Sequence, residues 1–161
     1  MPRAALIALA GALLAAFAAF AAACTPAEVA EVQTYAGVNA IRAEYGLPPL
    51  AADAELVHVA RERSADMAQN HYFSHFPPDG CNYACLIDRD RGFHEYAGEN
   101  LAWNNAGWDD TAAIAVQMWR DSPPHLANIL NCHYQRFGTG AVRADDGVIY
   151  YTMVFEGDAA C

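Results

Sequence analysis

Three short stretches carry residues able to do chemistry: YFSHF with His75, AGEN with Glu99 and SPPHL with His125. Two imidazoles and one carboxylate, with a fourth position open to water, make a divalent-metal site, zinc first, because zinc takes nitrogen and oxygen ligands in a tetrahedron. Metal-bound imidazoles need partners that fix their tautomer, and Ser122, Asn100 and Ser74 stand near enough in sequence to serve, with Ser122 also a candidate wall of the cleft. The competing expectation is a His–Glu–His hydrogen-bond network that steadies a cleft without metal. A further alternative makes Glu99 the general base of a metal-dependent hydrolase, a protease or nuclease. No nucleophile elbow, HExxH helix or recognisable Ser/Cys–His spacing accompanies it.

The surroundings of His125 set its charge. Ser122 is a good N-cap and Pro123 a good first helical residue, so His125 falls in the first turn of a short helix. A cation there opposes the helix macrodipole, which favours the neutral imidazole near pH 7. His58, His71, His94 and His133 have no comparable company and read as surface or structural residues. Tyr72, Phe73, Phe76, Tyr83, Trp103 and Trp108 cluster in the central loops, where they either cover a sheet edge or stack against a sugar ring or apolar tail.

The elements that must position these residues follow from periodicity. After the capping pattern TPAE, residues 27–45 place Val29, Val32, Tyr35 and Ala36 at helical spacing until GLPPL stops the helix. From residue 53 to about 70, Leu56, Val59, Ala60, Met67 and Ala68 share a face. Residues 71–98 read as a long loop rich in Gly, Pro, Asp, Asn and Cys, functional or disulfide-stapled. A helix over 111–121, capped by Asp109 or Asp110, carries Ile114, Ala115, Met118 and Trp119 on one side. FGTGAV and VIYYTMVFEG flank the turn DDG and read as paired strands, the second apolar on both faces. A strand covered on both faces belongs to an α/β sheet with helices on either side.

The opening MPRAALIALAGALLAAFAAFAAAC has an early arginine, an uncharged apolar run and then small residues, which is the layout of a secretory signal over residues 1–23. AAAC resembles a bacterial lipoprotein processing site, although Ala21 stands where a leucine is expected, so Cys24 is the lipidation candidate. Lipidating it would leave four of the five cysteines, an even number that allows three pairings; Cys81 with Cys85 and Cys132 with Cys161 are preferred. The chain has 19 acidic residues against 9 basic ones, every one an arginine, for a net charge of −10. That field repels phosphate backbones, which argues against a nucleic-acid partner, and leaves a lipid anchor as the only route to an anionic membrane.

In this order and spacing, NAIRAEYGLPPL, the helix ending in MAQNHYFSH, GEN, WRDSPPHLANIL, FGTG and YYTMVF resemble the CAP superfamily. That superfamily takes in cysteine-rich secretory proteins, insect venom antigens and plant pathogenesis-related proteins, and the likeness is to its bacterial branch of SCP-like extracellular proteins. The resemblance runs from about Val38 to Phe155. It implies one domain over 25–161, a three-layer α-β-α sandwich and a central cleft lined by two histidines and two glutamates. His75 matches the histidine of the SH motif, Glu99 the glutamate of GEN and His125 the histidine of SPxH. The second glutamate has no clear match, Asp121 and Ser122 occupying the corresponding stretch, and the eukaryotic GHYTQ signature is missing. The resemblance thus implies a secreted or lipid-anchored binding module of the cell envelope whose cleft takes a divalent metal, lipid, sterol or glycan, or an envelope protein as partner. A structural envelope protein with a vestigial cleft is the third reading.

Overall fold

Thr25 opens the first helix with a reciprocal capping box: its hydroxyl accepts from the Glu28 N–H, and the Glu28 carboxylate accepts from the Thr25 N–H. The computed structural model describes residues 24–92 and 96–161. The expected signal at 1–23 and His94 lie outside the described residues. The described residues form five helices and four strands: α1 Pro26–Glu44, β1 Ala51–Ala52, α2 Ala54–Asn70, α3 Tyr83–Arg91, β2 Tyr96–Asn104, α4 Thr111–Asp121, α5 Pro123–Ile129, β3 Arg136–Arg143 and β4 Ile149–Gly157.

The strands form one sheet in the order β1-β3-β4-β2, with β1 parallel to β3 and the other pairs antiparallel. Helices α1, α4 and α5 cover one face and α2 and α3 the other, giving three α-β-α layers. Period-two alternation divides β4 between them. Tyr151, Met153 and Phe155 join the cluster around Trp119, Ile41 and Phe137, whereas Val154 packs with Leu56, Val59, Leu86 and Ile87. The two glycines of FGTG bring the α2 layer close: a Cβ on Gly138 would strike the Leu56–Val57 backbone, and one on Gly140 the Ala60–Arg61 backbone.

The amphipathic reading succeeds on α2 and fails on α1. Leu56, Val59, Ala60, Met67 and Ala68 are all buried. Val29 and Val32 are instead exposed, and α1 buries Ala30, Glu31, Thr34, Val38, Ile41 and Arg42. The polar members belong inside because each has partners. Glu31 accepts from the Ala141 N–H at 3.1 Å and from Arg61, while Arg42 donates to the carbonyls of Pro48, Ile129 and Asn131, closing the C-terminal end of α5. Likewise α4 buries Ala115 and Trp119 but exposes Ile114 and Met118. Asp110 sits at its N-cap without a side-chain cap bond.

The stretch 71–98 is not all loop. Asn82 caps α3 through a bond from the Cys85 N–H, and Leu86 and Ile87 bury against α2. Both disulfides join the preferred partners, Cys81 with Cys85 and Cys132 with Cys161. Among the described residues no helix is long and apolar enough to cross a membrane.

Candidate functional site

Strand β2 ends the sheet on one side, so the two helical layers face each other across its outer edge without a strand between them. A cleft of about 380 Å³ opens there, lined by His75, Phe76, Asn82, Tyr83, Glu99, Asn128 and Tyr134 among others. Gly98 keeps it open, since a Cβ at that position would meet the Tyr134 hydroxyl.

Glu99 lies within β2, and its side chain is fully buried. Each of its oxygens has a donor. Oε1 accepts from Arg63 Nε at 3.0 Å, and Oε2 meets His75 Nδ1 at 2.7 Å. An ionised carboxylate only accepts, so Nδ1 is the donor of this pair, and in the neutral ring that tautomer leaves the Nε2 lone pair toward the cleft. The Arg63 side chain is 1% exposed and each of its guanidinium nitrogens donates, Nη1 to the Tyr72 hydroxyl and Nη2 to the Ser74 carbonyl, both at 2.8 Å. Burial works against the Arg63 charge, but the Glu99 charge and hydrogen bond with those of Tyr72 outweigh it, and its pKa lies above the usual arginine value. Tyr72 in turn donates to Asp66, and burial followed by that bond pushes its hydroxyl up to about 12. The His75 ring, 45% exposed, is therefore the outer end of a relay rooted in α2.

His125 approaches from the other layer. It occupies the first turn of α5, half-buried, and the Asn100 amide holds its carbonyl at 3.0 Å. Burial, and then the nearby His75, lowers its pKa below the ordinary histidine value. The direction is the one expected from the helix terminus, with desolvation as the main cause.

The site residues are thus unevenly gathered. His75 and Glu99 are in direct contact in the cleft wall, and His125 is within electrostatic reach. Ser122 ends α4 and begins α5 without a side-chain cap bond. Asn100 and Ser74 support the site through backbone atoms: Asn100 through the His125 carbonyl, Ser74 by accepting from Arg63 with its own. Among the described residues, the metal-type ligand atoms found within 4.8 Å of one another belong to Cys132, His133 and Cys161. The two sulfurs of that group are joined to each other. As placed, Glu99 fits a metal site only behind His75, as the carboxylate that fixes a ligating imidazole.

Arg63 is the residue that sequence reasoning missed. It falls on the buried face of α2, between Ala60 and Met67 at helical spacing, and an arginine on such a face requires buried acceptors, here the Glu99 carboxylate, the Tyr72 hydroxyl and the Ser74 carbonyl.

A model of the cysteine-rich secretory protein family, CAP, matches residues 35–155. Among curated proteins, the chain is similar to the uncharacterized membrane protein YlbC of Bacillus subtilis (strain 168), 36% identical over 120 residues, covering 73% of this chain and 31% of that protein. The uncharacterized protein YkwD of the same organism is 35% identical over 109 residues, covering 66% and 40%. Among solved structures, an extracellular protein containing a SCP domain from Bacillus anthracis str. Ames superposes with a TM-score of 0.71 at 30% identity, over 82% of this chain and 41% of that one. The chain spans less than half the length of each of these relatives.

Proposed function

The chain belongs to the cysteine-rich secretory protein (CAP) family, and from that premise we propose that it is an extracellular binding module of the cell envelope, anchored by lipid on Cys24, whose ligand enters the β2-edge cleft. One observation carries this reading. The buried Arg63–Glu99–His75 relay holds the His75 imidazole at the wall of an open cleft. An element that spends a buried ion pair on fixing one exposed ring is built for recognition.

The lining favours a hydroxyl-rich ligand over an aliphatic one. Asn82, Asn128, Tyr83, Tyr134 and His75 offer donors and acceptors, and Phe76, 78% exposed, offers a ring face for stacking. The net charge of −10 disfavours polyanions, which leaves neutral or amino-sugar glycans. Hydrolysis with Glu99 as general base is disfavoured because both its oxygens already accept bonds in a fully buried position.

Titration of the chain with chitotetraose, followed by calorimetry or NMR, tests the proposal. Saturable binding that His75→Ala and Phe76→Ala each reduce supports it; no binding, or binding indifferent to both changes, overturns the glycan reading. A second reading keeps a divalent metal on His75 Nε2 and His125, favoured by the neutral His125 ring. Zinc titration of the wild type beside a His75→Ala/His125→Ala double variant decides it. One saturable zinc lost in the double variant supports that reading, and equal curves reject it.

A further inference from the structure

The opposite edge of the sheet carries a second site of different character. Strand β1 pairs with β3 over only two residues, Ala51 with Arg136 and Ala52 with Phe137, so the edge of β3 runs on without a strand beside it. Between α1 and the start of α2 a pocket of about 410 Å³ opens there. Its walls are mostly apolar: Val32, Tyr35, Ala52, Val57 and Phe137. Thr139, only 4% exposed, stands in the same wall, and its buried hydroxyl has no hydrogen-bond partner. Cys24 lines the same pocket.

The charges around the pocket restrict the occupant. Glu28 and Glu31 both contact Arg61, which leaves a net negative charge and disfavours a fatty-acid carboxylate or lipid phosphate. An ester-linked acyl chain has an apolar body, no charge and a carbonyl that can accept from an orphaned hydroxyl. We propose that one acyl chain carried on the sulfur of Cys24 folds back into this pocket, a placement that rests on the lipid-anchor reading above. In the attachment the Cys24 thiol loses its proton and forms a C–S bond to the glyceryl carbon of a glycerophospholipid. The C–O bond to phosphate breaks and the phosphorylated headgroup leaves with the proton; water then cleaves the peptide bond before Cys24. Sheltering the chain weakens the anchor, because each methylene held by the protein is withheld from the bilayer.

The test uses the full chain expressed in a bacterium that processes lipoproteins. Mass spectrometry of the N-terminal peptide reports acylation, and partition into phosphatidylcholine vesicles reports where the chain lies. Val32→Trp brings an indole to the pocket from a position 68% exposed. The acylated wild type should bind vesicles about tenfold more weakly than acylated Val32→Trp, the equivalent of roughly two methylenes. Thr139→Val should shift partition the same way by less, and serves if the indole disturbs folding. Acylated Cys24 with equal partition in all three proteins overturns this proposal and leaves the anchor standing. A Cys24 without acyl mass overturns both, and free phospholipid co-purifying with an unacylated chain makes that lipid the occupant instead.

Discussion

At the scale of single residues, Arg63 matters most. Glu99 and His75 were legible because their motifs are short, polar and set in distinctive company, whereas Arg63 hides in a helix whose apolar residues draw the eye. Arg63→Met should lower unfolding free energy by about 3–5 kcal/mol in urea titration, because it leaves Glu99 buried without its cation. Adding Glu99→Gln to that variant should restore part of the loss. His125 gives a pH dependence of known sign. Its folded pKa lies below its unfolded value of about 6.5, so the unfolded chain binds more protons as pH falls below that point. The contribution of neutral His125 is full above about pH 6.5 and declines on acidification through the folded value. The stability advantage of the wild type over His125→Gln, read from melting curves, should therefore shrink between pH 7.5 and pH 5.

At the scale of elements, the sheet edges do the positioning. β2 places Glu99 between two layers because no strand lies beyond it, and the brevity of β1 leaves the β3 edge open on the far side. The paired strands β3 and β4 could be read from their alternation and the DDG turn, and α2 from its apolar stripe. β2 could not, because YAGENLAWN buries a glutamate and two asparagines that find side-chain and backbone partners only in the folded layers. The face of α1 was misjudged for the same reason: Glu31 and Arg42 are buried by contacts more than 80 residues away in sequence. Close packing of α2 on β3 yields its own prediction. Gly140→Ala forces a methyl against the Ala60–Arg61 backbone and should cost about 1–3 kcal/mol or more by chemical denaturation.

At the scale of the whole molecule, two disulfides close loops of very different length, with sequence separations of 4 and 29. Loop-closure entropy predicts that a Cys132→Ser/Cys161→Ser variant loses about 3–4 kcal/mol, against about 2 for Cys81→Ser/Cys85→Ser, in unfolding titrations of each variant. The larger bridge ties the chain end to the stretch after α5, so its loss should also loosen the Tyr134 wall of the cleft. The three-layer plan was legible in outline from a strand apolar on both faces and from the presence of helices before and between the strands, whereas the buried faces of α1 and α4, the helix α3 and the strand β2 were not. The acidic character of the chain then narrows what both sheet edges can accept to uncharged or cationic groups.

The central claim is that Glu99, clamped by Arg63, fixes the His75 ring with its proton on Nδ1 and its Nε2 lone pair toward the cleft. Long-range ¹H–¹⁵N correlation spectra at about pH 9, where an ordinary imidazole is neutral, read that tautomer directly. The account predicts an Nδ1–H tautomer for His75 in the wild type and its loss in Glu99→Gln. An Nε2–H tautomer in the wild type, or one indifferent to Glu99→Gln, would contradict it.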